Sequence, residues 1–147
     1  MKSIKFQEKI RIQESQAVIF DYTQDYTSRL KWDTFLQRAD LLDGATTAGL
    51  GVKAYCQAKS GIGMVTEYVS FLPPKVTAIK MTSPSPIFKS FLGSWTFHSL
   101  TDKECEIIFL YSYELKFPFS LFSNKITRNL KSNVKQRLLD LKSCVEG

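Results

Sequence analysis

Ile126, Leu130, Val134, Leu138, Leu141 and Val145 recur at steps of four, four, four, three and four, drawing one apolar stripe along a long amphipathic helix. Pro118 lies just ahead of it and marks its approach. From residue 50 to that point the chain reads as strand after strand. Val52, Ala54, Cys56 and Ala58 alternate with Lys53, Tyr55, Gln57 and Lys59, and Ser60–Gly61 then turns the chain into "IGMVTEYVSF", a hairpin signal. "LPPK" is a turn, because Pro74 cannot donate to a ladder. "VTAIKMTS" is a strand, "PSPIF" a break, "FKSFLGSWTFHSL" a strand, "TDKE" a turn and "CEIIFLYSYELKF" the last strand. So many twisted strands offer more inner surface than one helix stripe covers. The surplus must curl around the helix, and the space left between them is the default place for a ligand.

The first third completes the plan. Ile4, Phe6, Ile10 and Ile12 share one side of a strand, opposite Lys5, Gln7, Lys9 and Arg11, with Glu8 breaking the apolar side. "ESQAVIFDYTQDYTSRLKW" is helical, with Ser15 as N-cap and a second short helix beginning near Asp25. "FLQRADLLDG" is a strand closing on a Gly turn, and "ATTAGLG" is loop. The order is strand, two short helices, about six sequential strands and a long helix. This is an α+β fold, an antiparallel meander covered by one helix. No linker or repeat divides it, so residues 1–147 are expected to form a single domain.

Composition narrows the function classes. Apolar residues at 44% and charged residues at 23% describe an ordinary globular chain. No run reaches the roughly 18–20 apolar residues of a membrane span. The charged alternation at the start does not resemble a signal or transit peptide, and a cytoplasmic location is expected. Cys56, Cys105 and Cys144 are scattered, without CxxC spacing or a Cys/His cluster. They are read as reduced thiols packed like small hydrophobes, with no metal site and no cofactor. Of the net charge of +6, most sits in residues 125–147, where Lys125, Arg128, Lys131, Lys135, Arg137 and Lys142 oppose Asp140 and Glu146. A solvated helix face is the plain reading of that run, and attraction to an anionic surface the other.

The run "DYTSRLKWDTFLQRADLLDG", the turn "LPPK" and "GSWTF" before a long strand resemble the polyketide cyclase/dehydrase branch of the START and Bet v 1-like superfamily, which includes coenzyme Q-binding proteins. The resemblance implies a helix-grip fold, a curved seven-stranded antiparallel sheet wrapped around the C-terminal helix and enclosing an apolar cavity. Lipid carriers, hormone receptors, cyclases and oxygenase domains share that fold, so it does not name a chemistry.

Strand parity selects the cavity wall. In the last strand Cys105, Ile107, Phe109, Tyr111, Tyr113 and Leu115 form an apolar and aromatic row, opposite Glu106, Ser112, Glu114 and Lys116. Phe91, Gly93, Trp95 and Phe97 match that row, while Leu92, Ser94, Thr96 and His98 share the other face. A one-residue step flips sides, so His98, the chain's only histidine, points away from Trp95. In the preceding hairpin Ile62, Met64, Thr66 and Tyr68 are inward with Val52, Ala54 and Cys56. The candidate ligand-binding set is Trp32, Met64, Thr66, Tyr68, Trp95, Phe97, Phe109, Tyr111, Tyr113, Ile126, Leu130 and Val134. Tyr68, Tyr111 and Tyr113 bring hydroxyls that each need a partner. Glu8 is either an interior acid or a strand-end residue reaching water, and Arg38 is a second candidate to reach the interior. In "KWD", Trp32 is expected to close one cavity end and Asp33 to cap or turn the chain. "SPSPIF" and "FPFSLF" are apolar loops beside the expected mouth, suited to a lid, to membrane contact or to core packing.

Binding or transport of a small hydrophobic ligand, such as a lipid, an isoprenoid quinone or a polyketide-like aromatic, is the leading expectation, with transient contact to an anionic membrane as a corollary. A cyclase or dehydratase using cavity tyrosines with Glu8 or Arg38 is the alternative, although no nucleophile–base pair stands out. Nucleic-acid binding is not expected, because the aromatics do not interleave with the basic residues. His98→Ala should leave ligand binding and any activity nearly unchanged. A loss of about a hundredfold, the scale of a removed general base, would overturn the parity argument.

Overall fold

The computed structural model describes residues 3–147. Strand β1 (Ile4–Ile12) is followed by helices α1 (Gln16–Gln24) and α2 (Arg29–Trp32). Strands β2 (Leu36–Leu41), β3 (Lys53–Ala58), β4 (Gly63–Leu72), β5 (Val76–Met81), β6 (Phe88–Thr101) and β7 (Glu104–Leu115) come next. A 3₁₀ turn (Phe119–Phe122) then leads into helix α3 (Ser123–Glu146). One seven-stranded sheet results, in the order β1-β7-β6-β5-β4-β3-β2, and every pairing is antiparallel. Strands β2 to β7 are a plain meander, and β1 closes onto β7. The sheet curls around α3 in the helix-grip arrangement.

Alternation decides the faces. Cys105, Ile107, Phe109, Tyr111, Tyr113 and Leu115 of β7 are all buried, and the residues between them are half-exposed. Trp95 of β6 stands opposite Phe109 and Phe97 opposite Ile107, so the inner rows of the two strands meet side by side. Burying each such large side chain contributes about 1.5–3 kcal/mol. His98 lies opposite Glu106 and is exposed.

Ser15 caps α1, its Oγ accepting the Val18 N–H at 3.3 Å. Gln16 Nε2 donates to the Phe97 carbonyl at 2.7 Å, and Phe20 meets Phe97 edge-on with ring centroids 5.2 Å apart. These contacts fasten α1 over β6. The second helix starts at Arg29 rather than near Asp25. Asp25 instead accepts from the Thr27 N–H and from the Thr27 and Ser28 hydroxyls. That local network competes with the helical ladder and ends α1.

On α3, Val134, Leu138 and Leu141 are buried, and Ile126, Leu130 and Val145 pack partly buried against the core. The C-terminal half is tied down on one side. Lys142 Nζ donates to the Arg11 carbonyl at 3.0 Å, the Gln13 N–H donates to Glu146 at 2.8 Å, and Thr34 of the α2–β2 link bonds Asp140. Helix α3 therefore packs on β1 and α2, while the arm formed by β3, β4 and β5 stands off from it. Among the cysteines, Cys105 packs in the core and Cys56 is half-buried. Cys144 is exposed near the end of α3, so the reading of all three as packed hydrophobes does not extend to it. No helix among the described residues is long and apolar enough to cross a membrane.

Ile107→Ala, at a wholly buried inner position, should cost about 2–5 kcal/mol in urea unfolding. Ile108→Ala, one step along on the outer row, should cost much less, and equal losses would contradict the assigned faces.

Candidate functional site

Between the free arm of the sheet and α3 lies a cavity of about 380 Å³, within the range of small-molecule sites. Its wall is built from the inner rows of consecutive strands: Met64, Thr66 and Tyr68 of β4, Thr77 and Ile79 of β5, Trp95 of β6, and Phe109 and Tyr111 of β7. Helix α3 contributes Ile126, Leu130 and Arg137. Ile62 from the β3–β4 turn, Ile87 and Phe119 form an apolar rim, with Ile62 exposed. Gly93 matters because a Cβ there would sit 3.1 Å from Cε1 of Tyr111. Its bare backbone leaves the Tyr111 ring its place on the wall.

The far end is charged. Asp33, wholly buried at the C-cap of α2, accepts hydrogen bonds from Arg137 through Nε at 3.0 Å and Nη2 at 2.8 Å. Arg29, one helical turn before Asp33, adds a bond from Nε at 2.9 Å. Arg137 Nη1 donates to the Tyr111 hydroxyl at 2.8 Å. The Arg137 guanidinium lies over the Phe35 and Phe109 rings, and that of Arg29 over Trp32 and Tyr26. Burial alone would push the Asp33 carboxyl up, but the two guanidiniums, Arg137 before Arg29, hold it below the ordinary carboxylate range. Burial likewise works against both charged arginines, and Asp33 more than offsets it. Beside this cluster Tyr68 donates to Gln24 Oε1 at 2.7 Å and lies 3.2 Å from the Tyr26 hydroxyl. Burial pushes Tyr68, Tyr26 and the Cys56 thiol up, so all three are neutral at physiological pH.

Of the side chains expected on the cavity wall, Met64, Thr66, Tyr68, Trp95, Phe109, Tyr111, Ile126 and Leu130 line it. Four do not. Phe97 is covered by Phe20 of α1, and Tyr113 is closed off by Phe6, Phe88 and Phe91 and bonded to Thr127 at 2.6 Å. Val134 is buried in the core cluster on the packed side of α3. Trp32 is wholly buried behind the wall, edge-on to Trp95 at 5.9 Å, and its Nε1–H has no acceptor among the described residues.

Two candidate polar groups also lie elsewhere. Arg38 is exposed and pairs with Asp40 at 2.8 Å, because the register shift between Leu36 and Arg38 turns it outward. Glu8 sits in mid-strand opposite Phe109, not at a strand end, and is ion-paired with Lys135 of α3 at 3.4 Å. Asp33 is at a cap position, but its side chain holds two arginines. Arg137, counted by its charge among solvated helix residues, is buried. Its spacing was the available signal, since it falls four residues before Leu141 and seven after Leu130, on the apolar stripe itself. Arg29 gave no such signal. Among the described residues no group of three His, Cys, Asp or Glu is placed to hold a metal ion.

A curled sheet gripping one helix around a cavity is the helix-grip fold, and solved structures share it. The Zhui aromatase/cyclase from Streptomyces sp. R1128 superposes with a TM-score of 0.85 at 9% identity, covering 99% of this chain and 94% of that one. A START superfamily protein from Mycobacterium smegmatis gives 0.75 at 9% identity, covering 97% of each chain. Norcoclaurine synthase from Thalictrum flavum gives 0.70 at 10% identity, covering 98% of this chain and 87% of that one. No curated protein matches by sequence. The family described as polyketide cyclase/dehydrase and lipid transport matches residues 3–146, and the chain belongs to it.

Asp33→Asn should destabilise the protein by about 3–5 kcal/mol at neutral pH, because it leaves two guanidiniums buried without a counter-charge. The depressed Asp33 pKa makes its contribution complete above about pH 4 and lost as pH falls through the lower folded value. Urea unfolding of both proteins should therefore show the gap narrowing below about pH 4. A constant gap would contradict the ion-pair account.

Proposed function

We propose that this protein binds and carries a small hydrophobic ligand in the internal cavity. The observation that carries this reading is the cavity itself, about 380 Å³ with a mostly apolar wall, opening between α3 and the free arm of the sheet. Apolar surface removed from water there supplies on the order of 25 cal/mol per Å², before ordering costs. The wall residues Met64, Thr66, Tyr68, Trp95, Phe109, Tyr111, Ile126 and Leu130 form the binding surface. Trp32, Phe97, Tyr113 and Val134 support it from behind.

Membrane collection of the ligand fits the surface beside the mouth. Phe119 turns inward, while Phe117, Leu121 and Phe122 of the same segment are exposed at 73%, 70% and 58%. Exposed Lys125 and Arg128 follow on α3. An apolar tip flanked by cations suits transient contact with an anionic bilayer.

A second reading, a cyclase or dehydratase, is favoured by the buried Arg29, Arg137 and Tyr111 on the cavity wall. Such donors stabilise a developing enolate or alkoxide. Native mass spectrometry of freshly purified protein, with chemical identification of the extracted ligand, separates the two. A co-purified hydrophobic molecule returned unchanged supports carriage, and a turned-over one supports catalysis. Ligand addition should also change tryptophan fluorescence through Trp95, and Trp95→Ala should weaken binding. No response to any hydrophobic ligand would overturn the binding reading.

A further inference from the structure

The charged side chains on the cavity wall are Arg29 and Arg137, and no carboxylate is among the lining residues. Asp33 sits behind them with no exposure. Two guanidiniums against one ionised carboxylate leave a surplus of one positive charge at this buried end. The neighbouring acids do not cancel it, since Tyr26, Tyr68 and Cys56 are held neutral. A buried surplus charge without a partner is costly.

Hydrogen-bonding capacity tells the same story. Arg29 is only 7% exposed, and beyond Nε→Asp33 it makes no hydrogen bond of good geometry among the described residues. The side chain lines the cavity, where its other polar neighbour is the uncharged Tyr26 hydroxyl. Thr77, 1% exposed, also lines the cavity, and its Oγ1 has no partner among the described residues. Among the lining residues this end therefore holds two cations and no anionic acceptor. Ile126, at the other end of the lining face of α3, is eleven residues from Arg137, roughly 16 Å along the axis. Ile62, Met64, Ile87, Phe119 and Leu130 supply apolar lining away from the arginines, and the polar lining residues Ser60 and Asn129 are uncharged.

On this basis, and resting on the ligand-binding reading above, we infer that the cavity takes an amphiphile with a carboxylate head, bound at Arg29 with its apolar tail toward the mouth. A monoanion matches a surplus of one charge. A phosphate monoester, with about −1.5 to −2 charges, overshoots it, and a neutral carbonyl leaves it uncompensated. The planar guanidinium fork suits a carboxylate in two-point contact. Asp33 and Arg137 hold the site in place.

The test compares dodecanoate with dodecanol at neutral pH, each displacing the uncharged fluorophore N-phenyl-1-naphthylamine. In the wild-type protein dodecanoate should bind about tenfold or more tighter, the scale of one charge-assisted contact. Arg29→Gln leaves Arg137 and Asp33 as a balanced pair. It should bring the two ligands to within about threefold, chiefly by weakening dodecanoate. Dodecanol binding as tightly as dodecanoate to the wild-type protein overturns the anion assignment but leaves the hydrophobic cavity standing. An undiminished preference in Arg29→Gln overturns Arg29 as the seat of the head group. Failure of the fluorophore and both amphiphiles to bind overturns the cavity reading along with this one. The wild-type comparison decides the matter even if the variant does not fold.

Discussion

Because the C-terminal half of α3 is tied to β1 and α2, the inner face of the β3–β5 arm must bury its apolar side chains without the helix directly upon them. The rest of the architecture follows from that asymmetry. The sheet curls, and the register shifts in β2, β4 and β6 help it bend. Helix α1 covers Phe97, and what neither helix covers becomes the cavity. A protein interior is otherwise close-packed, so a volume of this size lined by eight of the expected wall residues is a feature of the design rather than a packing fault.

The buried Arg29–Asp33–Arg137 cluster does structural and electrostatic work at once. It joins α2 to α3 where α3 meets the cavity, and the Arg137–Tyr111 bond extends the link to the sheet. Gly93 belongs to the same device, since its missing side chain gives Tyr111 room. Burying two cations against one anion does little for stability compared with apolar packing of equal volume. The surplus charge gains meaning as a feature of the cavity. Transport and catalysis both use such a pole, the first to orient a head group and the second to stabilise charge that develops during reaction.

Much of the fold was legible because it rests on short-range repetition. The strict alternation of β7 placed Cys105 through Leu115 inward and, with β6, placed His98 outward, where it is exposed. The stripe on α3 gave the helix and its packed side. Misplacements came where a neighbour from another element intervenes. Phe97 has the parity of a cavity residue, yet α1 covers it, and Arg38 turned outward at a register shift that no local pattern announces.

By itself the sequence determined the order of elements and the inner and outer faces of β6 and β7, since alternation and helical spacing are properties of neighbouring residues, and the helix-grip arrangement was implied by the family resemblance. Only the tertiary structure decided that Arg137 leaves solvent, that Asp33 is more than a cap, and that the cavity has a cationic end. Arg137 and Asp33 are 104 residues apart. A charge is buried only when a partner reaches it, and which residues become partners is settled by packing rather than by pattern.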